Sequence, residues 1–236
     1  ADPWLPKVPV CRIIDDDRAR TMVAYVTWAV IHAQRHMDAY LASARIATWR
    51  EEAIVPPSRH RVGIAGLGRL GMACARALSL LGYRVRGWSQ RPKPAADFPL
   101  ETFAGAAGRD AFLAGCDTLV CLLPLTPATH GILDASLFAG LPRGAHVINV
   151  GRGALLKEAD LLAALGSGQI GRATLDTFDY EPLPASHPFW GQPDVVVTPH
   201  IASRTHPSAI ARRLRSNLEQ LQRTGPAPGC DRELGY

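Results

Sequence analysis

The fold of this chain is decided by the stretch Val62-Gly63-Ile64-Ala65-Gly66-Leu67-Gly68-Arg69-Leu70-Gly71. A short apolar run, typical of a buried strand, leads into a G-x-G-x-x-G turn, and a helical pattern follows. Gly66 permits a tight turn, Gly68 lets the backbone approach a pyrophosphate, and Gly71 allows close packing of helix on strand. The stretch therefore predicts a dinucleotide-binding unit, with a bare glycine turn as the alternative.

The first helix of this unit begins at Arg69 and Leu70. A helix amino end carries unpaired N–H groups and a partial positive charge, and both favour bound phosphates. We therefore expect these two residues, with the glycines, to bind the cofactor.

Strand and helix patterns alternate along most of the chain. Strands are predicted at 62–65, 83–88, 118–123, 146–150, 173–176 and 194–198. Helices are predicted at 70–81, around 111–114, and at 159–165. Such alternation is typical of an α/β fold with a doubly wound parallel sheet of the Rossmann type.

The segment before the glycine turn predicts a long helix, because residues 10–55 contain neither Gly nor Pro. Asp15, Asp16 and Asp17 mark its start. Its apolar residues go around most of the helix, so it must be buried on several sides. They are Met22, Tyr25, Val26, Trp28, Ala29, Val30 and Ile31. A core helix and a subunit-contact arm both remain open.

A last helix is predicted from the residues near the carboxyl end. Ile210, Leu214, Leu218 and Leu221 share one helical face. Pro207 lies in the first turn, and Gly225 lies just past the predicted end.

Composition excludes several classes of protein. Hydrophobic residues make up 47% and charged residues 20%, as in ordinary globular proteins. No apolar run is long enough to cross a bilayer and no signal peptide is visible, so we expect a cytoplasmic protein without a membrane partner. The net charge of +5 is modest and its arginines are spread out, which favours a solvated surface over a nucleic-acid site.

The cysteines indicate a reducing compartment. Five of them are scattered along the chain without a C-x-x-C pair. An odd, scattered set favours reduced thiols over disulfides, and it argues against a metal site such as zinc.

The second strand indicates which dinucleotide is bound. An NAD site needs a carboxylate there to accept the ribose hydroxyls, roughly 20 residues past the glycines. Residues 83–96 contain no Asp or Glu, whereas Ser89 is followed by Arg91 and Lys93, and Arg84 and Arg86 add further charge. A hydroxyl with two cations suits a 2′-phosphate. The sequence therefore predicts NADP(H), with NAD(H) possible.

Three polar residues each follow a short apolar run: Arg152, Glu181 and His200. The carboxyl ends of strands in such a sheet are where ligands bind. Arg152 stands between two glycines, so its backbone is expected to approach a ligand while its guanidinium grips a carboxylate. The alternative is a turn arginine in solvent.

His200 is able to donate a proton near neutral pH, and a carboxylate at Glu181 would favour its imidazolium form. The alternatives are a structural histidine and a rigid Glu-Pro-Leu-Pro loop. Asp176 is expected either to accept from a nicotinamide carboxamide or to cap the next turn. Together these residues predict redox chemistry on a small anion.

The chain resembles the D-isomer-specific 2-hydroxyacid dehydrogenase family, and within it the glyoxylate/hydroxypyruvate reductase branch. The resemblance lies in an ordered set of motifs. They are Gly66 to Gly71, Trp88-Ser89, Leu123-Pro124-Leu125-Thr126, Asn149-Val150-Gly151-Arg152-Gly153, Leu175-Asp176-Thr177-Phe178, Glu181-Pro182-Leu183-Pro184 and Thr198-Pro199-His200-Ile201-Ala202. One departure is Gly151, where the family often has alanine; we expect it to be harmless.

The resemblance implies NADPH-dependent reduction of a short 2-keto acid to the 2-hydroxy acid. Arg152 would bind the substrate, His200 would be the acid/base, and Glu181 would be its partner. Asp176 would hold the nicotinamide, and Leu123 and Pro124 would line the cofactor cleft. The long helix resembles the family's dimerisation element, which favours a homodimer.

The resemblance also sets the expected domain organisation. Family members carry a further half-domain before the region where this chain starts, so we expect only remnants of a second, substrate-binding domain. Residues 1–14 would be one remnant, 15–205 the dinucleotide-binding domain, and 206–236 a helix and tail returning to the second domain. Two alternatives follow: a fragment that binds NADP(H) without turnover, and a dinucleotide-sensing regulator.

Overall fold

The computed structural model describes residues 16–204 and 207–224. The chain divides into two compact units. One is Met22–Ala202, and the other comprises the described parts of Ala1–Thr21 and Ser203–Tyr236. The predicted remnant at 1–14, residues 205–206, the tail from Gly225, and Cys11 and Cys230 lie outside the described residues. The domain boundaries therefore stay a prediction.

The larger unit is built on a seven-stranded sheet in which every neighbouring pair is parallel. The strands are β1 (Arg61–Ala65), β2 (Arg84–Ser89), β3 (Glu101–Ala104), β4 (Thr118–Cys121), β5 (Ala145–Asn149), β6 (Ile170–Leu175) and β7 (Val195–Val197). Their order is β3-β2-β1-β4-β5-β6-β7. The strand order reverses between β1 and β4, and ligands bind at the carboxyl ends of such a switch point. The predicted doubly wound Rossmann fold is confirmed.

The described part of the chain contains seven α-helices. They are α1 (Asp16–Gln34), α2 (Met37–Arg45), α3 (Arg69–Leu80), α4 (Gly105–Leu113), α5 (Ala135–Ala139), α6 (Glu158–Gly166) and α7 (Pro207–Thr224). Short 3₁₀ turns occur at Pro57–Arg59, Gly153–Leu155 and Pro188–Gly191. The predicted last helix is confirmed in α7. No helix in the described ranges has both the length and the apolarity to cross a membrane.

The core lies on both faces of the sheet. Every residue of β4 and β5 is buried, because helices cover these central strands on either side. Residues of α1 and α3 pack in one buried cluster, and residues of α4, α5 and α6 pack in the other. Cys74, Cys116 and Cys121 are free thiols within these clusters, as predicted. Burial raises the pKa of each thiol to about 12, so they stay protonated.

The predicted single long helix before the glycine turn is wrong in one respect. The chain turns at His36, whose φ of 54° is left-handed, and this turn separates α1 from α2. Along α1, Met22, Val26 and Val30 are buried in the core, whereas Trp28 is 40% exposed. Helix α2 has no buried residue. The segment therefore packs on the core along one face and presents apolar side chains on another.

Candidate active site

The glycine turn between β1 and α3 has the geometry that its sequence predicts. Gly66 has a φ of +107°, and a Cβ there would lie 2.7 Å from the carbonyl oxygen of Leu122. A Cβ at Gly71 would lie 1.9 Å from the carbonyl oxygen of Gly66. No side chain fits at either position, so the turn and the close packing of α3 both require glycine.

Gly68 is different: apart from Gly68 and its two neighbours, no heavy atom of the described residues lies within 4 Å of the position that its Cβ would occupy. It is the N-cap residue of α3 and, as a glycine, has no side chain that could cap the helix. Arg69 is exposed and Leu70 is half-buried. Space beside Gly68 and the amino end of α3 are the features that a pyrophosphate needs, so the residues present fit a dinucleotide.

The end of β2 places Ser89 beside the cations predicted from sequence. Ser89 is buried and its hydroxyl donates to the carbonyl of Arg91 at 2.7 Å, while the side chains of Arg91 and Lys93 are exposed. The next acid along the chain, Asp97, is ion-paired with Arg76. Within the described residues around the end of β2, no acid takes the position where an NAD site places its carboxylate, and Arg91 and Lys93 lie nearby.

The other two cations counted around this strand do not belong to that site. Arg84 lies at the opposite end of β2, and Arg86 pairs with Glu101. Nη1 of Arg86 also donates to the carbonyls of Ala111 and Phe112, at 3.0 and 3.1 Å. Arg84 and Arg86 are therefore excluded as contributors to cofactor selectivity.

The segment at Leu123 and Pro124 lies between the glycine turn and the Arg152 turn. The preceding carbonyl, of Leu122, faces Gly66, and the carbonyl oxygen of Leu123 would lie 3.1 Å from a Cβ at Gly151. Pro124 is exposed, and its carbonyl accepts a 2.6 Å hydrogen bond from the hydroxyl of Thr129. The segment, which follows β4, thus lies at the switch point between β1 and β4.

The Arg152 turn is held by Asn149, which sequence reasoning missed. The Asn149 side chain is fully buried; it donates to the carbonyl of Arg152 at 3.1 Å and accepts from the N–H of Gly151 at 3.2 Å. Arg152 itself is exposed, and its Nη1 donates to the carbonyl of Gly151 at 2.7 Å. One buried amide therefore fixes the backbone from which the guanidinium projects.

The two glycines beside Arg152 are required by packing within the protein, and the predicted approach of the Arg152 backbone to a ligand stays a prediction. A Cβ at Gly153 would lie 1.8 Å from the carbonyl carbon of Phe178 and 2.1 Å from the nitrogen of Asp179. A Cβ at Gly151 would lie 2.6 Å from Cδ1 of the buried Leu155. Protein atoms take the space that a side chain would need at either glycine. Gly153 lets the Arg152 turn pack directly on the loop that carries Glu181.

Glu181 and His200 form the predicted pair. Nδ1 of His200 and Oε2 of Glu181 are 2.9 Å apart, and the two side chains are 42% and 36% exposed. Oε1 of Glu181 accepts from the N–H of Phe178 at 3.0 Å. Both carboxylate oxygens are thus used, one to fix the loop and one to contact the imidazole.

The electrostatics of this pair favour an ionised Glu181. Burial on its own raises the pKa of the Glu181 carboxyl, but hydrogen bonds from His200 and the Phe178 N–H, with the nearby charges of His200 and Arg152, lower it below its usual range. Arg152 therefore lies within electrostatic reach of Glu181. The structure brings the three predicted residues together at one edge of the sheet.

Asp176 is buried at the end of β6, where it is 1% exposed. Its Oδ1 accepts from the hydroxyl of Thr198 at 2.6 Å and the N–H of Ile201 at 2.8 Å, and its Oδ2 accepts from the N–H of Ala202 at 2.8 Å. Asp176 thus holds the turn around His200. These contacts correspond to the capping role considered for Asp176, except that the capped turn follows β7 and not β6.

Comparison with known proteins agrees with this geometry. The sequence profile of the D-isomer specific 2-hydroxyacid dehydrogenase NAD binding domain matches residues 27–202. The chain belongs to the D-isomer specific 2-hydroxyacid dehydrogenase family. The matched range contains every cofactor and catalytic residue predicted above.

Relatives in this family share most of the chain. The glyoxylate/hydroxypyruvate reductase A of Serratia proteamaculans (strain 568) is 43% identical over 97% of this chain and 73% of its own length. That of Yersinia enterocolitica is 40% identical over 91% of this chain and 68% of its own length.

Solved structures of the family show the same fold. A D-isomer specific 2-hydroxyacid dehydrogenase from Xanthobacter autotrophicus Py2, in complex with NADPH and MES, is 40% identical with a TM-score of 0.93, covering 99% of this chain and 96% of that one. An NADPH-dependent glyoxylate/hydroxypyruvate reductase from Sinorhizobium meliloti, in complex with NADP and sulfate, is 39% identical with a TM-score of 0.94, covering 99% and 75%.

Proposed function

We propose that this chain binds NADPH and reduces a short 2-keto acid, of the glyoxylate or hydroxypyruvate type, to the 2-hydroxy acid. The observation that carries the proposal is the 2.9 Å contact between His200 and Glu181, within reach of Arg152 and at the same sheet edge as the glycine turn. A proton donor, its carboxylate partner and a cation are the groups that this reduction requires of the protein.

The preference for NADPH over NADH rests on the end of β2. Arg91 and Lys93 are exposed there next to Ser89, and residues 83–96 contain no acid. A 2′-phosphate gains from two cations and would be repelled by a carboxylate in that place. The relatives solved with NADPH and NADP support the same preference.

Each residue of the trio has a separate task. NADPH, when bound, supplies the hydride. Arg152 binds the substrate carboxylate with its forked guanidinium and polarises the neighbouring carbonyl. His200 donates a proton to the oxygen that becomes the hydroxyl. Glu181 stays ionised at neutral pH because its pKa is lowered, and its charge favours the imidazolium form of His200.

The test follows NADPH absorbance with glyoxylate for the wild-type chain and for His200→Asn. Asparagine tolerates the left-handed backbone of His200, whose φ is 53°, but it transfers no proton. Loss of general acid catalysis typically costs about 10²- to 10⁴-fold in rate. We expect a loss of about 10³-fold in kcat with an unchanged dissociation constant for NADPH.

The matched control is His187→Asn, because His187 also contacts a carboxylate, Oε2 of Glu158, at 3.1 Å. It should retain full kcat. Equal rates for wild type and His200→Asn would contradict the proposal. Tight NADPH binding without oxidation by any short 2-keto acid would support a nucleotide-binding module instead.

The apolar surface of α1 and α2 supports the proposed homodimer. Leu41 and Ile46 are 52% and 73% exposed, and Trp49, just beyond α2, is 92% exposed. Large exposed apolar groups clustered on one segment mark an interaction surface. We expect sedimentation to give the mass of two chains, and Leu41→Glu to lower it toward one.

A further inference from the structure

A chain of short hydrogen bonds connects helix α1 to the His200 turn. The hydroxyl of Tyr25, on α1, lies 2.6 Å from Oγ1 of Thr198. Thr198 lies 2.6 Å from Oδ1 of Asp176, to which its hydroxyl donates. Tyr25 and Thr198 are 173 residues apart in sequence, so this contact exists only in the folded protein.

The direction of donation along this chain is fixed by the chemistry of the groups. A threonine hydroxyl has one proton, and Thr198 gives it to Asp176, since a carboxylate only accepts. Thr198 must therefore accept from Tyr25. Burial, together with the charge of Asp176, raises the pKa of Tyr25 to about 12 even though the Thr198 contact lowers it. The phenol thus remains a donor across the working pH range.

Asp176, the last acceptor in this series of hydrogen bonds, holds the backbone next to His200. Asp176 receives the N–H groups of Ile201 and Ala202, both at 2.8 Å. His200 has a φ of 53°, a left-handed conformation that is strained for a residue with a side chain. Such a conformation persists only where the surroundings hold it. Asp176 supplies that restraint on the carboxyl-terminal side of His200.

We propose that Tyr25 is a positioning residue for His200, acting through Thr198 and Asp176. By donating to Thr198, Tyr25 keeps the Thr198 hydroxyl directed at Asp176. The Asp176 carboxylate is then fixed against Ile201 and Ala202, and the imidazole stays aligned with Glu181. This inference rests on the proposed function, in which His200 transfers the proton. Helix α1 therefore serves the site as well as the core.

The test compares Tyr25→Phe with Tyr83→Phe. Both changes remove one phenol oxygen, but Tyr83 contacts Gln34 at 3.4 Å and does not touch the Thr198–Asp176 network. A net hydrogen bond of about 0.5–1.5 kcal/mol corresponds to roughly 2- to 12-fold. We expect Tyr25→Phe to lower kcat about 3- to 10-fold with unchanged KM for NADPH, and Tyr83→Phe to leave kcat unchanged.

Variants at Thr198 provide a second, independent comparison. Thr198→Val keeps the shape and removes the hydroxyl, so it should lower kcat at least as much as Tyr25→Phe. Thr198→Ser keeps the hydroxyl and should stay within about twofold of wild type. If Thr198→Val and Thr198→Ser gave the same kcat, the proposal that Tyr25 acts through the Thr198 hydroxyl would be wrong.

Amide hydrogen exchange tests the inference without turnover. Tyr25→Phe should speed exchange at Ile201 and Ala202 several-fold, whereas Tyr83→Phe should leave both amides unchanged. Faster exchange in a chain whose wild type shows no turnover would support the positioning role and contradict only the proposed function. Unchanged exchange at both amides in Tyr25→Phe, or a lower melting temperature of this variant with unchanged kcat, would overturn the positioning role of Tyr25.

Discussion

The two edges of the same parallel sheet use their charged side chains in different ways. At the amino edge, Arg61 contacts Asp117 through both guanidinium Nη2 and Nε, at 2.6 and 3.0 Å, and its own N–H donates to the same carboxylate at 2.8 Å. Arg86 pairs with Glu101, and Arg172 lies 3.4 Å from Asp38. These cations connect strands and helices to one another.

At the carboxyl edge, the cations are arranged differently. Arg91, Lys93 and Arg152 are exposed, and none forms an ion pair with a carboxylate in the described part of the chain. The acids there contact backbone N–H groups or His200. Charge at the amino edge stabilises the sheet, whereas charge at the carboxyl edge is available to an anionic ligand.

Among the variants that compare the two edges, Arg152→Lys at the carboxyl edge should have the largest effect. Lysine keeps the charge but cannot make the bidentate contact, and hydrogen bonds to charged groups contribute about 1.5–3 kcal/mol. We expect kcat/KM for glyoxylate to fall about 100-fold while NADPH binding is unchanged. Arg84→Lys, exposed at the amino edge, is the control and should have no effect. Equal losses for both would remove the distinction between the edges.

Asp117→Asn should weaken the contact between Arg61 and Asp117 at the amino edge and leave the candidate site unaffected. Asparagine preserves the shape but leaves the Arg61 guanidinium without its anion. Since both side chains are partly exposed, we expect the free energy of unfolding in urea to fall by about 1–2 kcal/mol. The KM for NADPH should stay constant. Asp110→Asn, on an exposed carboxylate, should change stability by less than about 0.5 kcal/mol.

Replacing Arg91 and Lys93 together by alanine tests whether these two cations select NADPH over NADH. Loss of charge-assisted contacts to a 2′-phosphate should weaken NADPH binding about tenfold, and NADH binding should change less than twofold. The same double change at Arg59 and Arg84, both exposed near the amino edge, alters net charge equally. Titration followed by nucleotide fluorescence measures NADPH and NADH binding for both double variants, and the Arg59 and Arg84 control should bind NADPH like the wild type. An equal loss for NADH would contradict a phosphate-specific role.

The sequence predicted the core of this fold well because its strands are strongly apolar. The predicted strands at 62–65, 118–123 and 146–150 match β1, β4 and β5. β3, Glu101–Ala104, was missed because it is short, half-exposed and the outermost strand of the sheet. The five-residue α5 is too short to show a helical period.

The candidate site was predictable only where motifs are local. Gly66, Arg152 and His200 each stand at a recognisable strand end. Tyr25 was missed as a site residue because its partner is 173 residues away, and a tyrosine in an apolar helix gives no sign of a polar role. The break at His36 was missed because no glycine or proline marks it.

The smallest expected effect is the pH dependence of Glu181. Its folded pKa lies below the ordinary 4.5, so the unfolded state binds more protons as pH falls. The stabilisation is therefore present above about pH 4.5 and lost as pH falls through the folded pKa. Glu181→Gln should be less stable than wild type at pH 7, by under about 1 kcal/mol, and the difference should shrink in acid. Urea unfolding at several pH values measures this; a difference that grows in acid would contradict it.

The division between the two edges is tested most directly by amide chemical shifts during NADPH titration. NADPH should shift the amides of Gly66 to Gly71, of Ser89, Gln90, Arg91 and Lys93, and of Leu123, and should leave those of Arg61 and Asp117 unchanged. Shifts centred on the amino edge, or saturable binding that leaves the glycine turn unchanged, would contradict it.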